Sequence, residues 1–259
     1  MSVIDLKISL AGAAVGLLVG LTGMGGGAVM TPMLILLGWA RPLVAVGTDL
    51  VWSAITKSVG SFVHYRQGTV DIKLVKRLAL GSLPGALAGI LLLMWLQRRG
   101  FANLDRLIVR VLGVALIAVA VSLLLRSLKG IRERTELGAR SLSTVPRLIT
   151  ALGAVVGFLV SLTSVGSGSL IVACLVVMCP AVPLKRIIGS DIFHALLLVG
   201  VSAIGHLGIG TVNFGLLLSL LVGSIPGVWI GSKLSAVFPE KVLRPVLGST
   251  LLFLGYKLL

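Results

Sequence analysis

Residues 16–27, GLLVGLTGMGGG, return 141 positions later as GFLVSLTSVGSG at 157–168. One inserted residue further on, the echo continues at an offset of 142. GTD at 47–49 is answered by GSD at 189–191, His64 by His206, and GTV at 68–70 by GTV at 210–212. GSLPGALAG at 81–89 is answered by GSIPGVWIG at 223–231. A repeat of this length means one arrangement of helices built twice. It also means that a hydrophobic segment is broken by the same glycine-rich turn in each half.

The material between the motifs is apolar. Hydrophobic residues make up 57% of the chain and charged residues 12%, against roughly 25% charged in a soluble domain. Continuous apolar runs lie at 8–22, 28–39, 43–64, 78–96, 107–125, 148–162, 169–182, 187–206, 212–231 and 242–259. A spanning helix needs about 20 such residues, and five or six runs qualify. Because the runs are continuous and not alternating, a β-barrel is excluded. The fold class expected is an all-α polytopic membrane protein. The first run carries Asp5 and Lys7 and leads straight into the repeat, unlike a cleaved leader.

A formal net charge of +15 would suggest nucleic acid in a soluble protein. Here the basic residues sit at run ends, where they read as topology signals and lipid headgroup contacts. Cys174 and Cys179 lie five apart with no second pair, so neither a disulfide framework nor a zinc site is indicated. They read as packing residues. No metal and no cofactor is expected.

The long polar stretch 126–147 divides the chain into an N-terminal repeat, 1–126, a linker loop, 127–147, and a C-terminal repeat, 148–259. Each repeat offers two short runs flanking a glycine turn, then three full-length helices. Runs 8–22 and 28–39 would be about 22 and 18 Å long as helices, too short to cross a core of about 30 Å. The expected solution is a broken hairpin that enters and leaves on one side with its glycine tip at depth. Each half then crosses three times in net, and the halves are inverted repeats. That arrangement places fifteen Lys and Arg residues on one side and seven on the other, whereas single-crossing hairpins would give twelve and ten. The positive-inside rule favours the sharper split, with the linker cytoplasmic and both termini outside.

The two turns are the first candidate site. Glycine lets the backbone leave helical geometry and approach a ligand closely. At membrane depth such a segment survives only where protein or a watery cavity satisfies it. Helices restarting at Ala28 and Ser169 would present unpaired N–H groups and a positive dipole end, a combination that binds anions. The candidate binding residues are Thr22, Gly23, Gly25, Gly26 and Gly27 in the first turn, and Thr163, Ser164, Gly166, Ser167 and Gly168 in the second. The competing reading is close helix packing, which Gly12, Gly16 and Gly20 at four-residue spacing also serve.

Asp49 and Asp191 sit one to two turns into apolar helices, in a chain with only eight acidic residues. A carboxylate at that depth is costly and reads as functional: a gating or proton-coupling group, or a cap for the neighbouring broken backbone. Lys57 breaks the symmetry, since Val199 is its counterpart. An intramembrane cation suits an anionic substrate or a carboxylate partner. His64 and His206, at equivalent helix ends, titrate near neutral pH and join the gating and coupling candidates; an interfacial, hydrogen-bonded histidine is the alternative. His194, one turn after Asp191, is a weaker relay candidate. In GSLPGALAG and GSIPGVWIG, small residues recur every fourth position and Pro84 and Pro226 interrupt the helix ladder, which reads as architecture.

Taken together, the duplicated glycine turn, the internal [ST]-D and the G-S-x-P-G-x-x-x-G helix resemble the sulfite exporter TauE/SafE family over about 8–258. The resemblance implies a secondary transporter of small sulfur-containing anions such as sulfite or organosulfonates, usually outward, resident in the inner membrane. It implies no enzyme activity and makes the two turns, Asp49 and Asp191 the functional positions. The expected partners are the anion and the lipid bilayer, with a homodimer as an open assembly and no nucleic acid. The second turn, TSVGSG, departs from a full glycine run and implies asymmetric contacts to the substrate. Import of sulfate or thiosulfate is the nearest alternative, and a lipid-handling or assembly role without a soluble substrate the next. An intramembrane enzyme lacks its motifs: neither H-E-x-x-H nor G-x-S-x-G occurs.

Overall fold

A computed structural model of the chain describes residues 5–22, 26–128, 146–179, 182–234 and 240–259, which are helical apart from short connections, with no strand among them. The first half supplies α1 (Leu6–Thr22), α2 (Gly27–Leu36), α3 (Pro42–Arg66), α4 (Ile72–Arg98) and α5 (Leu104–Leu128). The second supplies α6 (Pro146–Thr163), α7 (Ser169–Met178), α8 (Leu184–Gly208), α9 (Phe214–Leu234) and α10 (Glu240–Leu258). The helices therefore reach slightly into the expected linker, most of which lies outside the described residues.

Five helices, α4, α5, α6, α8 and α9, are long and apolar enough to cross a membrane. This is an all-α polytopic membrane protein. Helix α3 is as long, at 25 residues, but Asp49, Lys57, His64 and Arg66 dilute its apolar character. The glycine turn interrupts each half as the run lengths predict. α2 and α7 have 10 residues each, about 15 Å, half of what a crossing needs.

Helix starts are set by local chemistry. Asp71 caps α4, accepting from the backbone N–H groups of Lys73 and Leu74, and its counterpart Asn213 accepts from Leu216 N–H at the start of α9. Pro42 and Pro146 open α3 and α6, where a missing N–H costs nothing. Pro84 and Pro226 lie inside α4 and α9, which run through them without ending.

Packing crosses between the repeats. α1 packs on α9 and, equivalently, α6 on α4; α3 packs on α8 and α5 on α10. The glycines give the register. Gly12, Gly16 and Gly20 of α1 lie against Leu220, Ser224 and Val228 of α9, so these helices run in the same direction. Gly81, Gly85 and Gly89 of α4 meet Thr150, Ala154 and Ser161 of α6 in the same sense. By contrast, Gly113 of α5 lies against Gly255 of α10 and Leu259 just beyond it while Gly248 meets Leu124, which makes that pair antiparallel. α3 and α8 are antiparallel too: Gly47 near the start of α3 lies against His206 at the end of α8, and Gly60 towards the end of α3 against Ile192 near the start of α8.

The outer surface is apolar, with Leu80, Leu91, Val155, Ile204 and Trp229 all more than half exposed, as a lipid-facing surface requires. At the helix ends Arg66 lies over Phe62, Arg99 over Trp95, Lys233 over Trp229 and Lys257 over Phe253. In each pair a cationic group lies over the face of an aromatic ring.

Candidate functional site

The duplicated motifs dock onto one another across the two halves. Thr48 of GTD accepts the backbone N–H of Asn213 at 3.1 Å, and Ser190 of GSD accepts that of Asp71 at 2.7 Å. Asp71 and Asn213 each follow a GTV turn. Gly47 and Gly189 leave room for Thr211 and Thr69 of those turns; a Cβ at either would strike a threonine. His64 Nδ1 bonds Thr69 Oγ1 at 3.0 Å, and His206 Nδ1 bonds Thr211 Oγ1 at 2.8 Å. His206 also donates from Nε2 to the Ser161 carbonyl at 2.9 Å, so the proton sits on that nitrogen. Both histidines thus fasten helix ends to turns, the hydrogen-bonded role weighed above against titration.

A second duplicated contact was not read from the sequence. Trp52 Nε1 donates to Ser224 Oγ at 2.7 Å, and His194 Nε2 bonds Ser82 Oγ at 2.6 Å. Trp52 and His194 occupy the same position in the two repeats, as do Ser82 and Ser224 of the G-S-x-P-G motifs. All four are buried. The signal was present as a matched offset, but tryptophan and histidine do not look alike in a sequence.

Thr22 and Thr163 turn their hydroxyls back to the carbonyls of Leu18 and Leu159, closing the ends of α1 and α6. After Thr163 the chain leaves helical geometry, with positive φ at Ser164 (60°), Gly166 (110°) and Gly168 (134°). The last two conformations need glycine. Ser164 reaches the other half: a Cβ on Gly27, the first residue of α2, would collide with its carbonyl oxygen and approach its hydroxyl. The start of α2 therefore touches the second turn. Gly26 and Gly168, the residues before α2 and α7, provide no side-chain cap, which leaves the first amides of both short helices to other partners. Gly23 and Gly25 lie outside the described residues.

The charged candidates converge on the same place. Asp49 is fully buried and accepts a 2.6 Å hydrogen bond on Oδ2 from Thr31 of α2, with the Ser164 hydroxyl beside it. Lys57 crosses from α3 to the second turn, donating to Ser167 Oγ at 2.6 Å and to the Ser167 carbonyl at 3.1 Å. Its ammonium feels the carboxylates of both Asp191 and Asp49. Asp191 is 2% exposed on α8. With one lysine and two carboxylates, the cluster sums to a single negative charge when all three are ionised.

A separate cavity of about 380 Å³ opens at the helix ends bounded by Arg41, Gln97, Phe101, Asp105 and Thr211. No described residue of either turn contributes to its lining. Arg41 and Asp105, both in its lining, form an ion pair at 2.8 Å.

Comparison with known proteins gives a consistent result. The family described as Sulfite exporter TauE/SafE matches residues 8–258. The probable membrane transporter protein YjnA of Bacillus subtilis (strain 168) is 42% identical over 98% of this chain and 100% of its own. YdhB, a probable membrane transporter protein of the same organism, is 27% identical over 94% of this chain and 96% of its own. No solved structure matches.

Proposed function

The chain belongs to the TauE/SafE sulfite exporter family of membrane transporters, and from that membership we propose that it exports a small sulfur-containing anion, sulfite or an organosulfonate, across the inner membrane. The anion rests where the two broken hairpins meet, between residues 22–27 and 163–168. The observation that carries this reading is the reach of Lys57 to Ser167, an ammonium held beside the start of the half-length helix α7, whose first amides have no side-chain cap. Amide dipoles and one cation suit a compact oxyanion.

The orientation proposed is two inverted repeats with the linker cytoplasmic. Antiparallel packing of the equivalent helices α3 and α8, and of α5 and α10, supports it. Repeats of like orientation would bring equivalent helices together in the same direction. Inversion lets the site open to either side by exchanging the roles of the halves. Asp49 and Asp191 gate it, with His64 and His206 fastening the ends of the two helices that carry them. A carboxylate repels the anion unless a positive charge compensates it, so uptake of a proton at an acid and occupancy by the anion are linked.

Flux through purified protein in liposomes tests the reading. Sulfite, sulfate, thiosulfate, sulfoacetate and taurine are offered in turn, with and without a pH gradient. Saturable flux of sulfite or sulfoacetate, accelerated by the gradient, is expected. Flux of none of the five would overturn the proposal, and flux of sulfate or thiosulfate alone would reassign the substrate.

A further inference from the structure

Trp52 and His194 stand at the same place in the two repeats and are anchored alike, yet they leave the two turns unlike. Trp52 Nε1 donates to Ser224, and His194 Nε2 bonds Ser82, the equivalent serine. Beyond its anchor, the six-membered ring of Trp52 reaches the first turn: a Cβ on Gly26 would strike Cζ3 and Cη2 of that ring. Gly27, next in the chain, lies against the carbonyl oxygen of Ser164, and Asp49 stands beside that serine. At the start of α2 the ring thus fills the space, and a carbonyl oxygen and a carboxylate repel an anion.

The start of α7 differs on each count. Gly26 is matched by Ser167, whose hydroxyl accepts from Lys57 at 2.6 Å. Imidazole has no second ring. With Nε2 anchored as Trp52 Nε1 is, its Nδ1–Cε1 edge takes the place of the bond that fuses the six-membered ring of the indole. It therefore points towards the second turn as that ring points towards the first. His194 is fully buried, and its Nδ1 has no hydrogen-bond partner among the described residues. The Lys57 ammonium lies close enough to act on the ring. A buried ring nitrogen without a partner is costly unless a ligand supplies one.

We propose, on the reading that an anion is carried at the turns, that the second hairpin alone holds it. His194 Nδ1, Lys57 and the first amides of α7 bind the anion, and Trp52 closes the equivalent place on the first hairpin. Ser82 donates its hydroxyl to His194 Nε2, which fixes the proton on Nδ1 as a donor to the anion. Tryptophan at one position and histidine at its counterpart give two halves with one anion site.

The test is calorimetric titration of the purified full chain with sodium sulfite and with sulfoacetate. The wild-type chain should bind one anion per chain. His194→Trp can keep the bond to Ser82 as Trp52 keeps its own to Ser224, and it should lose anion binding while the unfolding midpoint stays near that of the wild type. Trp52→His, the reciprocal change, should leave affinity within about twofold. Should His194→Trp fail to fold, the double variant His194→Phe with Ser82→Ala serves instead, because removing both partners of a hydrogen bond together is nearly neutral for stability. It should weaken binding about tenfold or more. Wild-type affinity in a folded His194 variant, loss of binding in folded Trp52→His, or two anions per wild-type chain would overturn the proposal while leaving the transport function standing. Binding of neither anion by the wild-type chain would overturn both.

Discussion

Lys57 shows how one residue sets the polarity of an otherwise two-fold arrangement. Its counterpart, Val199, can reach no turn with a charge, so the cation belongs to the second hairpin alone. Removing it should weaken the anion. At an effective dielectric near 20 and roughly 6–8 Å, the attraction is about 2 to 3 kcal/mol, or some tens of times in affinity. Lys57→Met is therefore expected to raise the dissociation constant by that factor at every pH, measured by titration calorimetry. Unaltered affinity would make the lysine a strut for Ser167. Asp191→Asn should still bind the anion but lose the pH dependence of flux; a wild-type pH profile would make the acid a cap. Ser82 tests the architecture instead. Ser82→Ala takes away the hydrogen-bond partner of a fully buried His194 and should cost about 1–3 kcal/mol, seen as a lower unfolding midpoint. Ser58→Ala, at an exposed hydroxyl, should leave that midpoint in place. The sequence showed Asp49, Asp191 and Lys57 because charge inside an apolar run stands out. It hid Trp52, Ser82 and Thr31, whose importance lies in what faces them.

Among elements, the short helices were legible and their partners were not. Runs too short to span, split by glycine, announced α1 with α2 and α6 with α7. Nothing in either run says that α1 packs on the fourth helix of the other half, because a glycine every fourth residue fits any close neighbour. The two halves are units of sequence whose packing is shared. That sharing gives a sharp contrast between glycines. Gly223→Ala would drive a methyl group into the Ser9 carbonyl of α1, and overpacking of this kind costs about 1–3 kcal/mol or more. Gly200→Ala in α8 meets nothing within 4 Å and should be neutral or stabilising by up to about 1 kcal/mol from helix propensity. Unfolding midpoints of the two variants in detergent would separate the effects; equal midpoints would mean that α1 and α9 are not in close contact.

For the whole molecule, the charge count and the helix directions argue to the same arrangement by independent routes. One depends on Lys and Arg at run ends, the other on glycine contacts within the bundle. Inversion is the claim on which alternating access and the paired tips both depend, and equivalent loops test it directly. Gln67 and Ile209 occupy the same position in the α3–α4 and α8–α9 connections. With Cys174 and Cys179 replaced by alanine, Gln67→Cys and Ile209→Cys are labelled in intact cells with a membrane-impermeant maleimide, before and after the membrane is opened. Inverted halves predict that Ile209→Cys reacts from outside and Gln67→Cys only after opening. Labelling of both cysteines from one side would contradict the inverted arrangement and, with it, the proposed transport cycle.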